Sequence, residues 1–345
     1  MALVINGRFL ARPITGVERY GRMLMPVIAR EWPDSRVVLP ARAEGEWDTF
    51  GLEVVLHKGL GGHAWEQLQL PSAVGKNDLL LSPANTGPLR VRRQVVVVHD
   101  LAVIHHPEWF DRRFARWYEF LLPRLTRRVA RVITVSDTSS LDLQQTYSFG
   151  PDHVAIVPPF ASELSKNDHS DTRIVPPYCL LVGSHDPRKG LDRALQWYGR
   201  LKDPAFDLII VGRPGPQFAS HDLLEHEGVH FLEDGDDAQL RALYEGAIAL
   251  LHPSRAEGFG LPILEAMTHG CPVIASDLQV FREYFHDAVR FATFGTDTST
   301  DEALKAALGP EREAWIGRGK RHAATFHEAR TTQALHDVLD PLLRS

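Results

Sequence analysis

A chain of 345 residues with 44% hydrophobic and 24% charged residues is globular, which excludes a disordered chain, and is long enough for two domains of ordinary size. The formal charge of −6 divides into net +3 over residues 1–160 (19 Lys+Arg against 16 Asp+Glu) and net −9 over the remainder (19 against 28). That first half is too weakly basic for a dedicated nucleic-acid domain, although its sign favours an anionic acceptor or membrane surface. Cys179 and Cys271 lie far apart and outside any metal-type spacing, so both read as small apolar fillers of a reduced intracellular protein.

The first segment, Ala2-Leu3-Val4-Ile5-Asn6-Gly7, has no cationic region ahead of a long apolar run; it is expected as a first strand, not a signal peptide. No stretch approaches the roughly 18 uninterrupted apolar residues that a membrane helix needs, so the protein is expected to be soluble or to lie on a membrane. Ile14-Thr15-Gly16-Val17-Glu18-Arg19-Tyr20 follows as a loop and a Gly-bearing helix start. Further strands are expected at Arg36–Leu39, Asp78–Ser82, Gln94–His99 and Arg131–Val135. His99-Asp100 closes the strongest of them, while His105 and His106 are expected in a loop. Between Asp111 and Arg131 seven arginines interleave with Phe114, Trp117, Tyr118, Phe120 and leucines. The pattern suits either a membrane-surface helix or a core-facing helix with a solvated basic face, interrupted or divided by Pro123. Ser136 or Asp137 is expected to cap the helix that runs toward Leu143.

The polar segment Ser162–Asp171 is expected to link two domains. A second series of strands follows at Tyr178–Val182, Asp207–Val211, Val229–Leu232, Ala247–Leu251 and Pro272–Ala275. Apolar runs alternating with helical patterns argue βαβ units and parallel sheets, hence an α/β fold of two doubly wound domains with ligands outside the carboxyl ends of the strands and a cleft between the domains as the expected site.

Gly183-Ser184-His185-Asp186-Pro187-Arg188-Lys189-Gly190 sets two cations on the loop after one strand. Pro253-Ser254-Arg255-Ala256-Glu257-Gly258-Phe259-Gly260-Leu261-Pro262-Ile263-Leu264-Glu265-Ala266-Met267 sets two carboxylates across a glycine-rich turn that opens a helix over Leu261–His269. Gly258 and Gly260 let backbone amides approach a ligand, and a helix start with exposed amides favours an anion. Carboxylates are pure acceptors, so Glu257 and Glu265 beside such a site suit sugar and ribose hydroxyls.

This segment, continued by Gly270-Cys271-Pro272-Val273-Ile274-Ala275-Ser276-Asp277, resembles the signature of family-4 retaining glycosyltransferases, whose fold is GT-B: two Rossmann-like domains facing a cleft. The resemblance implies an N-terminal acceptor-binding domain over 1–170 and a C-terminal nucleotide-sugar-binding domain over 171–328. It also implies that the last helix, in 329–345 and expected at about Thr331–Leu343, packs back on the first domain. It assigns Arg188 and Lys189, with Gly183 on their loop, to the diphosphate leaving group, although Gly190 stands where the family usually has Asn. Glu265 is assigned to the ribose, Glu257 to a donor-sugar hydroxyl, and Gly258, Phe259, Gly260 and Leu261 offer backbone to sugar and phosphate. Gly212 and Arg213 are assigned to the base or second phosphate, Gly16 to close approach at the donor phosphate, and His99 to the sugar.

The activity implied is transfer of a hexosyl unit with retention, from a nucleotide-diphosphate sugar to a glycan or lipid-linked glycan, without a bound metal or other cofactor. Glu233-Asp234-Gly235-Asp236-Asp237 holds an Asp-x-Asp but reads as a solvated acidic turn. The stretches Thr15–Tyr20 and Gly62-His63-Ala64-Trp65-Glu66-Gln67 look like those of bacterial mannosyl- and rhamnosyltransferases of polysaccharide assembly. They make GDP-mannose the first choice of donor, with a UDP- or dTDP-sugar next. A cytoplasmic place is expected, with peripheral contact on an anionic membrane left open and no nucleic-acid partner. Two other classes also stay open: a GT-B-fold nucleotide-sugar epimerase and a non-catalytic bilobal sugar-binding protein.

Overall fold

The computed structural model describes residues 1–41, 47–57, 59–165, 177–213, 227–233, 236–295 and 298–345. The chain forms two compact units, one of Met1–His105, Ala115–Pro159 and Glu328–Ser345, the other of His106–Phe114 and Phe160–His327. The first therefore ends at Pro159 instead of residue 170, because the chain beyond it bonds within the second: Ala161 N donates to Phe326 O at 2.7 Å and Leu164 N to His269 Nε2 at 3.2 Å. Residues 166–171 of the expected linker lie outside the described residues.

Among the described residues the first unit holds seven strands: β1 (Leu3–Asn6), β2 (Arg36–Pro40), β3 (Glu53–His57), β4 (Leu79–Ser82), β5 (Gln94–Val97), β6 (Arg131–Thr134) and β7 (Val154–Ile156). They pair in parallel in the order β3-β2-β1-β4-β5-β6-β7. The inner strands β1, β4 and β5 are buried throughout, as a sheet covered on both faces requires. Two strands the sequence did not announce, β3 and β7, are the edges; both are only partly buried, and β7 has just three residues.

Helix Gly16–Glu31 starts at a capping box between Thr15 and Glu18 and buries Tyr20, Leu24, Val27 and Ile28, spaced for one helical face. Ser136 Oγ accepts from Ser139 N at 3.0 Å and caps helix Asp137–Tyr147, one of the two caps expected there. Helix Arg112–Thr126 runs unbroken through Pro123, contrary to the expected interruption. The proline falls in the last turn, and the carbonyl it leaves without its helical donor belongs to Glu119, an exposed residue. Ala102–His105 is a short helix where a loop was expected for His105; a bond from His105 Nε2 to Asp142 Oδ1 at 2.8 Å helps hold it. The last helix, Glu328–Arg344, belongs to this unit, with Thr331 Oγ1 donating to Pro158 O (2.7 Å) and Trp32 Nε1 to Asp340 Oδ1 (3.2 Å).

The second unit holds β8 (Tyr178–Val182), β9 (Asp207–Val211), β10 (Val229–Leu232), β11 (Leu250–His252), β12 (Val273–Ala275) and β13 (Arg290–Phe291), parallel in the order β10-β9-β8-β11-β12-β13. Trp197 and Trp315 fill its core together with Cys179. Both cysteines are free and buried, and burial pushes their thiols up, Cys271 to about 12. The α/β class with two doubly wound sheets is thus as expected. Strand order reverses between β1 and β4 in one sheet and between β8 and β11 in the other, and ligands of such sheets bind outside the carboxyl ends at those points.

Candidate active site

In the second unit the loops that leave β8 and β11 carry the residues singled out by sequence. Gly183 N donates to Val211 O at 2.9 Å, and a Cβ on Gly212 would stand 1.9 Å from Gly183 O. Gly212 is therefore a glycine because the two strand ends close on each other, and His185 N then reaches Arg213 O at 3.0 Å. Buried Asp186 accepts from Arg188 N (2.9 Å) and Arg188 Nε (2.6 Å), which caps the turn Pro187–Lys189 and orients the guanidinium. The Arg188 guanidinium carbon lies 5.4 Å from the centre of the Phe110 ring.

Gly190 sits at φ +66°, and a Cβ there would meet Pro253 O at 2.1 Å. The departure from the family's Asn has this physical basis: the loops after β8 and β11 are packed against each other at that backbone. Arg255 fastens them. Its N donates to Arg188 O at 2.6 Å, its Nη1 to Pro187 O at 2.9 Å, and its fork takes Asp192 at 2.7 and 2.6 Å.

Lys189 and Glu257 meet at this junction. Lys189 Nζ is 2.7 Å from Glu257 Oε1, which also accepts from Ser254 Oγ at 2.8 Å and His252 Nε2 at 3.1 Å. Burial opposes the charge on Glu257, yet Lys189 and His252 outweigh it and hold the carboxyl well below the usual range. Burial pushes the His252 imidazole down, so the neutral ring donates through Nε2 to that carboxylate. An ammonium has three donors, so one bond to Glu257 leaves Lys189 able to meet a second anion.

Helix Leu261–Thr268 opens from Gly260 at φ +112°, where a Cβ would stand 2.9 Å from the Phe281 ring. Phe259 is buried, its ring centre 4.9 Å from that of Tyr284 and 5.5 Å from that of Phe285, and Leu261 is buried as well. Their side chains belong to the core, so the segment Gly258–Leu261 presents backbone. One turn on, buried Glu265 accepts from Tyr244 OH at 3.0 Å, and the Tyr244 ring stacks on His269 with centres 6.3 Å apart. Asp234 lies outside the described residues; Asp236 caps helix Asp237–Gly246 by accepting from Gln239 N at 2.7 Å.

In the first unit Gly16 is the first residue of its helix, and a Cβ there would meet nothing within 4 Å. His99 is buried, its ring edge-on to Tyr20 of the same helix at 5.0 Å. Its Nε2 donates to Pro83 O at 3.2 Å, which fixes the ring, and burial pushes its pKa down.

The structure thus gathers Gly183, Arg188, Lys189, Gly212, Arg213, Glu257, Gly258, Phe259, Gly260, Leu261 and Glu265 in one unit, and Gly16 and His99 in the other. Sequence reasoning passed over Asp186, Tyr244, His252, Ser254 and Arg255. His252 and Ser254 carried a usable signal, since polar residues ending an apolar strand point toward whatever lies at its carboxyl end.

Residues 166–320 match the family described as glycosyl transferases, group 1. The chain is 29% identical over 246 residues to the O-antigen chain mannosyltransferase RfbU of Salmonella typhimurium, covering 70% of this chain and 68% of that protein. It is 28% identical over 270 residues to the O-antigen chain mannosyltransferase B of Escherichia coli, covering 72% and 71%. Among solved structures, WaaG, a glycosyltransferase involved in lipopolysaccharide biosynthesis, superposes with a TM-score of 0.65 at 20% identity over 98% of this chain and 99% of that one. Anabaena Alr3699/HepE in complex with UDP-glucose gives 0.74 at 18% identity over 99% of each. With its parallel sheets and the Lys189–Glu257 junction, the chain carries a glycosyltransferase group 1 domain and is a glycosyltransferase of the GT-B fold.

Proposed function

We propose that this glycosyltransferase is a retaining mannosyltransferase that uses GDP-mannose and extends a glycan or lipid-linked glycan in bacterial polysaccharide assembly. The observation that carries the donor site is the Lys189–Glu257 pair at 2.7 Å, set where strand order reverses beside a glycine-opened helix. The mannosyl choice is supported by the O-antigen mannosyltransferases to which the chain is similar.

Arg188 and Lys189, with the amides at the start of helix Leu261–Thr268, hold the diphosphate and stabilise the charge that grows on it as the sugar departs. Glu257 accepts from a sugar hydroxyl, and Glu265 accepts from the ribose. The acceptor oxygen bonds to the anomeric carbon on the face from which the phosphate oxygen leaves. The proton of the acceptor hydroxyl passes to that phosphate oxygen, so no protein nucleophile is required. Calorimetric titration with GDP, UDP and dTDP tests the donor: GDP is expected to bind at least tenfold more tightly than the other two, and preference for a pyrimidine nucleotide contradicts the choice of base.

Membrane contact belongs to the same proposal. Helix Arg112–Thr126 turns Ala115, Tyr118, Leu121, Leu122 and Leu125 into the protein and exposes Arg112, Arg113 and Arg116. Those apolar residues are taken up by the protein interior, so the contact rests on the exposed arginines. Basic residues contribute roughly 1 kcal/mol each near an anionic surface, so changing all three to Gln should weaken co-sedimentation with anionic vesicles about a hundredfold. Wild-type protein that ignores such vesicles at low and physiological salt removes this part.

A further inference from the structure

His106–Phe114 belongs to the second unit, although the chain on either side of it, up to His105 and from Ala115 to Pro159, belongs to the first. Local bonds give this segment a defined shape. Trp109 N and Phe110 N donate to His106 O and Pro107 O, both at 3.1 Å, around the turn Pro107–Trp109. The rings of His106 and Trp109 stack with centres 4.0 Å apart. Asp111 Oδ1 then accepts from Arg113 N at 2.9 Å and from Phe114 N at 3.2 Å, which starts helix Arg112–Thr126. Phe110 stands between these two fixed stretches. It is buried, and its ring stacks on that of Phe114 with centres 5.7 Å apart.

The turn delivers an aromatic face to Arg188. The guanidinium carbon lies over the Phe110 ring, 5.4 Å from its centre, within the roughly 6 Å over which a ring face attracts a cation. Arg188 Nε also donates to Asp186 Oδ2 at 2.6 Å. One hydrogen bond is an axis about which the guanidinium plane can still tilt. A ring over that plane fixes the tilt, and with it the direction of the N–H donors on the two Nη atoms. The Arg188 side chain is only 18% exposed and that of Asp186 not at all, and a cation–π contact strengthens as water is excluded. Unlike a second carboxylate, the neutral ring orients the cation without adding a negative charge that would repel a diphosphate.

We propose that Phe110 is a positioning residue for the leaving-group cation: its ring face sets the tilt of the Arg188 guanidinium toward the diphosphate. The proposal rests on the reading of Arg188 given above.

The test measures kcat and KM for GDP-mannose, beside hydrogen exchange at Arg188 Nε followed by NMR of the full chain. Phe110→Leu keeps an apolar side chain but loses the ring face. It should lower kcat about tenfold with KM within about threefold, since the lost contact counts most as charge grows on the diphosphate. Its Arg188 Nε proton should exchange about tenfold faster than in wild type. Phe110→Tyr keeps the face and should stay within about threefold of wild type in kcat. Phe110→trifluorophenylalanine keeps the shape but drains charge from the face, and should lower kcat about fivefold, which loss of packing would not do. In the Arg188→Ala background Phe110→Leu should cost no further kcat. Wild-type kcat in the trifluoro variant overturns the proposal, as does a full loss from Phe110→Leu on top of Arg188→Ala. If Phe110→Leu lowers Tm, Phe110→Tyr and the trifluoro variant carry the test. Normal kcat in Arg188→Ala contradicts the leaving-group reading instead. Exchange at Arg188 Nε then decides whether the ring orients the guanidinium, and equal rates in wild type and Phe110→Leu overturn that.

Discussion

Lys189→Ala is expected to lower kcat by about 10²–10³, and Arg188→Ala by a similar factor, the scale of losing one preorganised electrostatic donor. Both cations are held before substrate arrives. Lys189 is 2.7 Å from Glu257, and Arg188 is turned by a 2.6 Å bond from its Nε to Asp186. Neither side chain has to be recruited from solvent when charge develops on the leaving diphosphate. The variants should still fold: Glu257 keeps its bonds from Ser254 at 2.8 Å and His252 at 3.1 Å, and Asp186 keeps the 2.9 Å bond from the backbone N–H of residue 188. Steady-state kinetics check this, and near-normal turnover in the double variant contradicts leaving-group stabilisation by the pair.

Glu257→Gln and Glu265→Gln should separate in opposite ways. Glu257 shares its Oε1 with Lys189, so removing its charge leaves the lysine un-neutralised beside the diphosphate site. Free GDP should then bind as well as before or more tightly, while transfer falls about a hundredfold because a charged acceptor for the sugar hydroxyl is lost. Glu265 lies one turn into the helix, oriented by Tyr244 OH at 3.0 Å, and its loss should weaken GDP binding about tenfold. Calorimetric titration of GDP into each variant, beside turnover, reads both effects; the reversed pattern refutes the assignment of the two carboxylates.

The central strands were legible because a parallel sheet covered on both faces demands continuous apolar runs, as in Gln94-Val95-Val96-Val97. The edge strands β3, β7 and β13 were not: all three are partly exposed, and β7 and β13 have only three and two residues. The loops of the second unit were legible because Arg188, Lys189, Glu257 and Glu265 fall in two compact stretches of glycine and charge. Their tertiary logic was hidden. Gly190 makes sense only once Pro253 O is seen 2.1 Å from where its Cβ would be, and Arg255 only once it bonds Asp192, 63 positions away. Polar bonds near the end of β1 were hidden for the same reason. Asn6 donates to Glu66 across 60 positions and Arg8 to Thr86 across 78, so the stretch around Glu66, singled out for its resemblance, gave no sign of these partners.

The most direct test of the central claim is the anomeric configuration of the transferred sugar. It is read by proton NMR on the product formed from GDP-mannose and a mannosyl acceptor in excess EDTA. Same-face substitution with the diphosphate stabilised by Arg188, Lys189 and the helix amides requires product that keeps the donor's configuration, formed at an undiminished rate. Inverted product contradicts the mechanism. Transfer lost in EDTA and restored by Mn²⁺ or Mg²⁺ contradicts the role given to the two cations and moves attention to Asp234 and Asp236.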